Sequence, residues 1–79
     1  MYNRIAQKAA YWLLIQARQT GKNQILIPQS VSNWAMMMNV SRPSLHRELK
    51  IMEQAGMIAY SSSAITIRQP DELQKILGT

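Results

Sequence analysis

The sequence predicts a mainly α fold with a small β hairpin, in the order helix, helix, helix, hairpin and short closing helix. Three observations predict it. Two apolar helical stripes follow one another, each behind its own serine cap, with only Asn39 and Val40 between the first stripe and the second cap. Two short strand-like runs come next, separated by Ser61–Ser62–Ser63. The chain has 79 residues, too few for two domains of roughly 100–200 residues each. All its elements therefore share one thin core, which buries about 60% of the surface of the unfolded chain. With 47% hydrophobic and 16% charged residues, three Gly and three Pro, the composition excludes disorder, collagen-like repeats and low-complexity linkers. No internal repeat is present.

The first helix is expected over residues 3–19, a stretch without Gly or Pro and rich in good helix formers. Ile5, Ala9, Trp12 and Leu13 share one face, which Ala6, Ala10, Leu14 and Ile15 widen, and Gly21 is the stop signal. So apolar a helix is expected to be covered on two sides, by the core and by a dimer partner or a neighbouring domain. Ile25–Leu26–Ile27 is β-branched and ends at Pro28, the mark of a brief strand. Ser30 then caps a second helix, with Asn33 three residues on in place of the usual Glu or Gln. Val31, Trp34, Ala35 and Met38 form its buried stripe. Asn39 tolerates left-handed backbone and closes it. Ser41 caps the third helix, Pro43 falls in its first turn, Leu45, Leu49 and Met52 are its apolar stripe, and Gly56 ends it after Ala55. Met57–Tyr60 and Ala64–Ile67 make the hairpin, with Ile65 and Ile67 alternating around Thr66. Pro70–Asp71–Glu72 opens the last helix, with Leu73, Ile76 and Leu77 inward and Gly78 at its end.

Two capped helices across a short turn, followed at once by a hairpin, make a winged helix-turn-helix. The expected organisation is a single winged-helix domain over 1–79: first helix 3–19, helix-turn-helix 30–55, wing hairpin 57–68 and C-terminal helix 70–77. The major groove of DNA admits one α-helix, and a helix anchored by one apolar face and polar on the other fills it. At about 100° per residue, Pro43, His46, Arg47, Lys50 and Gln54 point outward together, with Arg42 at the edge. The expected base-reading residues are the N-terminal ones, Arg42, Pro43, Ser44, His46 and Arg47. Arginine leads among specific readers because its fork matches the O6 and N7 acceptors of guanine. Ser30, Ser41, Lys50, Gln54 and Ser62 are the expected phosphate contacts.

Charge points the same way with less force. Nine Lys and Arg against four acids give a net +5, which favours an anionic partner, nucleic acid before a membrane surface. Residues 1–22 carry Arg4, Lys8, Arg18 and Lys22 and no acid, or +4, while residues 42–54 carry only +1. Arg68 and Lys75 cancel Asp71 and Glu72. Modest non-specific affinity follows, with specificity left to dimerisation. One His and no Cys leave no disulfide, no thiolate metal site and no acid–base or nucleophile constellation of the usual kind, so neither an enzyme nor a cofactor is expected. The longest apolar run, Ala9 through Ile15, falls far short of the ~20 residues that span a bilayer, and no small-residue cleavage pattern follows it. The expected location is cytoplasmic.

The segment Ser30–Val–Ser–Asn–Trp–Ala35, then Asn39–Val–Ser–Arg–Pro–Ser–Leu–His–Arg–Glu–Leu–Lys50, then Glu53–Gln–Ala–Gly–Met–Ile58 and Ile65–Thr–Ile67 resembles the C-terminal winged-helix DNA-binding domain of the Crp/Fnr family of bacterial transcription regulators. The resemblance covers about Ile25 to Leu77. It implies an output domain that binds promoter double-stranded DNA as a homodimer, with an N-terminal sensor domain and a long dimerisation helix upstream. Arg42 and Arg47 fall on the family's base-contacting arginines, and Ser41 on its helix-capping position. Trp34 stands where Leu is usual, Asn39 where Gly is usual, and Pro43 where Glu often is. A proline side chain accepts no hydrogen bond from cytosine, so no relative's half-site carries over.

Plainer readings stand beside these. Arg42 and Arg47 also fit solvated helix charges, with Glu48 and Glu53 close to Arg47 in sequence. Met36–Met37–Met38 divides between core and surface, or meets RNA polymerase or a sensor domain. Ser61–Ser62–Ser63 is either a flexible loop or a phosphate-contacting wing tip. A winged helix used for protein–protein contact without specific DNA binding is the competing function, because fold does not fix function.

Overall fold

The structure is a computed structural model that describes residues 3–61 and 63–78. These form α1 (Arg4–Thr20), β1 (Gln24–Leu26), α2 (Val31–Met37), α3 (Arg42–Gln54), β2 (Ile58–Tyr60), β3 (Ala64–Ile67) and α4 (Pro70–Gly78). The fold is the mainly helical winged helix-turn-helix expected, and helix ends differ from the sequence reading by a residue or two, within ordinary fraying.

Local chemistry explains the boundaries. Asn3 caps α1, its side-chain oxygen accepting from the Ala6 amide at 2.8 Å. Gly21 closes that helix at φ 70°, its N–H reaching the Ala17 carbonyl at 2.8 Å, a backbone state that costs glycine nothing. Ser30 caps α2 through the Asn33 amide and Ser41 caps α3 through the Ser44 amide. Between them Asn39 takes the left-handed conformation, φ 59°. Gln29 also has φ 59°, just ahead of the α2 cap. No sequence signal marks it.

The core runs from α1 through α3 to the sheet. Small side chains, Ala6, Ala9 and Ala10, let α1 approach closely, and Leu13, Trp34, Leu45, Leu49, Ile58, Ile65, Leu73 and Ile76 fill the centre. The Val31, Trp34 and Ala35 stripe and the Leu45, Leu49 and Met52 stripe are buried, with Met38 half-buried. The second cover of α1, expected from outside the chain, is provided at least in part by α4, which packs along it and whose Ile76 carbonyl accepts from Gln7 Nε2 at 3.4 Å.

The hairpin is part of a three-stranded antiparallel sheet of order β1-β3-β2. Ile25 sits opposite Ile65 on one side of β3, and Tyr60 opposite Ile65 on the other. The alternation on β3 then buries both Ile65 and Ile67, as a half-buried strand requires. Ile25 on β1 and Ile27 just after it are buried, and Leu26 between them is 74% exposed. Among the described residues no helix is long and apolar enough to cross a membrane.

Candidate nucleic-acid interface

The exposed side of α3 and the strand beside it form the chemically richest surface. Leu45, Leu49 and Met52 hold α3 down, so its orientation follows from burial and its other face is left to solvent. Arg42, Pro43, Arg47, Lys50 and Gln54 are exposed there, while Ser44 and His46 are half-buried. An open groove of ≈ 450 Å³ runs between the start of α2, α3 and the end of β2, lined by Ser30, Val31, Ser32, Arg42, His46, Lys50, Tyr60 and Ser61. Of the expected contact residues, this groove gathers Ser30, Arg42, His46 and Lys50. Arg47 and Gln54 stand on the helix outside it, and Ser62 lies outside the described residues.

Cap chemistry already occupies some hydroxyls. Ser30 Oγ accepts from the Asn33 amide at 3.1 Å and keeps its own proton to donate. Ser41 Oγ accepts from the Ser44 amide and donates to Ser44 Oγ at 2.8 Å. The Ser44 proton is then the free one.

Tyr60 is the residue sequence reading missed. Its hydroxyl lies 3.2 Å from His46 Nδ1, the rings meet edge-on at 5.7 Å, and Lys50 Nζ is 5.8 Å from its ring centroid. Glu53 ties the same corner: one carboxylate oxygen accepts from Lys50 at 3.1 Å and the other from the Tyr60 amide at 3.2 Å. Strand periodicity was the available signal. Tyr60 is two residues from the buried Ile58 and so shares its face, toward α3. Burial raises the Tyr60 phenol above its ordinary value.

The Lys50 hydrogen bond, followed by that from the Tyr60 amide, holds the Glu53 carboxyl below its ordinary value. The stabilisation this gives is full above the unfolded glutamate value, about 4.3, and is lost as pH falls through the lowered folded value. Thermal melts of wild type and Glu53→Gln should therefore differ at neutral pH and converge in acid. A constant difference across that range would remove the carboxylate from the account.

The acids of α3 are both engaged. Glu48 accepts from Asn3 Nδ2 at 2.9 Å, and Glu53 is held as above. Among the described residues neither is within ion-pair distance of Arg47. The two arginines at the start of α3 are thus more available than the sequence charge of that helix indicates. Among the described residues no cluster of His, Asp and Glu is placed to hold a metal ion.

Comparison with curated proteins returned no match. Comparison with protein families returned the Crp-like helix-turn-helix domain, matched over residues 7–76. That span takes in most of α1, the sheet, both helices of the helix-turn-helix and most of α4, and the chain belongs to the Crp-like helix-turn-helix domain family.

Proposed function

We propose that this chain binds double-stranded DNA sequence-specifically, as a single winged-helix output domain of a Crp/Fnr-type transcription regulator. A Crp-like helix-turn-helix domain points to DNA binding in transcription regulation. The observation that carries the finer reading is the exposed, doubly arginine-bearing face of a capped α3 whose acids are bonded to Asn3, Lys50 and the Tyr60 amide rather than to the arginines. In this reading α3 enters the major groove. Arg42, Pro43, Ser44, His46 and Arg47 meet base edges, and the phosphate backbone passes the Ser30 and Lys50 side of the groove beside the wing. Ser30, Ser41, Lys50, Gln54 and Ser62 are the phosphate contacts, and Tyr60 positions His46. A homodimer sets two copies of α3 about one DNA turn apart, roughly 34 Å. RNA polymerase or an upstream sensor domain is the further partner.

Selection of duplexes from a random pool, followed by anisotropy titrations at two salt concentrations, tests this. An enriched site with two-fold symmetry, bound more weakly as salt rises, supports it. Lys50→Ala should weaken all duplexes alike and lower the salt slope by about 0.9, the share of one phosphate contact. A second reading, a protein–protein module, is favoured by Met36 and Met37, 77% and 59% exposed on α2. No enrichment and no duplex binding at low salt would reject DNA and favour that module.

A further inference from the structure

We propose that the surface shared by α1 and α4 docks an acidic, amphipathic helical segment of a partner protein. This proposal does not depend on the DNA reading. A groove of ≈ 190 Å³ opens between the two helices, lined by Tyr11, Leu14, Ile15, Arg18, Gln74 and Leu77. Four of the six are apolar or aromatic, and Tyr11 is 59% exposed. At about 100° per residue, Arg4, Lys8, Tyr11, Ile15 and Arg18 fall within roughly 80° of arc. At about 1.5 Å per residue they extend for roughly 21 Å along α1. Arg18 lines the apolar groove and Arg4 lies further along the same stripe, while the Lys8 ammonium is turned to the Met38 carbonyl.

Charge selects the occupant. Residues 1–22 hold four cations and no acid. Among the described residues Arg4 and Arg18 make no ion pair, and Lys8 gives its ammonium only to the Met38 carbonyl, at 3.0 Å. On α4, Glu72 is held by Lys75 at 2.9 Å, and Glu48 of α3 is bonded to Asn3, beside the start of the stripe. A second copy of the chain is a poor match. Its Glu48, Glu53 and Glu72 are already bonded to Asn3, Lys50 and Lys75. A duplex presents phosphates but no apolar side chain for the groove, and a bilayer surface does not fit a narrow cleft between helices. An amphipathic helix does, with large apolar side chains at i, i+3 or i+4 seated in the cleft and Asp or Glu on either side meeting Arg4 and Arg18.

The surface shares no lining residue with the groove beside the wing, so both can be occupied at once.

The test uses the ¹⁵N-labelled chain and a synthetic helical peptide with Leu and Phe at i, i+4 and i+7 and Glu at the flanking positions. A matched peptide with every Glu replaced by Lys, anionic phospholipid vesicles and a random duplex are the comparisons. The expected result is amide shifts confined to α1 and α4 with the Glu peptide and none with the Lys peptide. Arg18→Glu and Tyr11→Ala should each weaken binding about tenfold, or 1.4 kcal/mol. Should Tyr11→Ala unfold the chain, Arg18→Glu and Arg18→Gln carry the test, since that side chain is exposed. Absence of shifts, shifts on α3, or equal affinity for the two peptides overturns the proposal. So does binding of vesicles or duplex, but not peptide, through α1.

Discussion

Trp34→Ala is expected to remove about 3–5 kcal/mol of stability, the usual range for deleting a buried tryptophan. Small domains hold about 0.05–0.15 kcal/mol per residue, so this loss is a large part of the whole. The variant should be substantially unfolded, with a much lower urea midpoint. Trp34 is fully buried on α2, and its ring centroid lies 4.9 Å from that of Trp12, tilted 47°. It therefore fixes α2 to α1 while helping set α2 against α3. Its indole nitrogen is buried with no acceptor among the described residues, which costs about 1–3 kcal/mol. Trp34→Phe removes that donor and keeps most of the ring, so it should cost far less than the alanine change. Equal midpoints for alanine and wild type would mean that the helix-turn-helix is anchored elsewhere.

Arg47→Ala is expected to raise the Kd for the preferred duplex about 5- to 150-fold, equivalent to 1–3 kcal/mol. It should relax preference at one base pair and leave random duplexes little changed. This follows if the exposed guanidinium, which neither Glu48 nor Glu53 neutralises, reads a base rather than a phosphate. Arg47→Lys sharpens the test. It keeps the charge and loses the planar fork, so it should bind random duplexes as wild type does and still fail to restore preference. Anisotropy on the selected site and on a scrambled duplex reads both. If Arg47→Ala binds the preferred site as tightly as wild type does, the base-reading role is wrong.

Signals that act over a few residues were legible. The serine caps, Gly21, Asn39 and the two stripes of the helix-turn-helix each rest on chemistry within one or two helical turns, and the structure has them where the sequence indicates. The sequence reading missed what depends on distant pairing. The Ile25 run was readable as a strand, but three residues carry no register, and nothing local says that it joins β3 across the whole helix-turn-helix. Helix α1 was readable as doubly covered, yet α4 was not identifiable as the second cover, because an amphipathic helix does not declare its partner. At the site, Arg42, His46, Arg47 and Lys50 follow from periodicity on α3. The His46–Tyr60 contact, the Asn3–Glu48 bond and the bond from the Tyr60 amide to Glu53 do not, since each joins separate elements. Those ties also change the meaning of the charge arithmetic. In the helix with little net charge, Glu48 is bonded to Asn3 and Glu53 to Lys50 and the Tyr60 amide, and the arginines are left available.

The central position of β3 has a consequence for assembly. Strand β1 comes before the two helices of the helix-turn-helix and β3 after them, so their pairing is a clasp that closes a long loop. Loop closure costs entropy before the contacts repay it, and such non-local pairings slow folding. The two helices can form early from their caps and stripes. The clasp then draws their outer ends together and fixes the angle at which they stand. A chain cut short before Ala64 would keep the letters of both helices and lose the hinge that sets them.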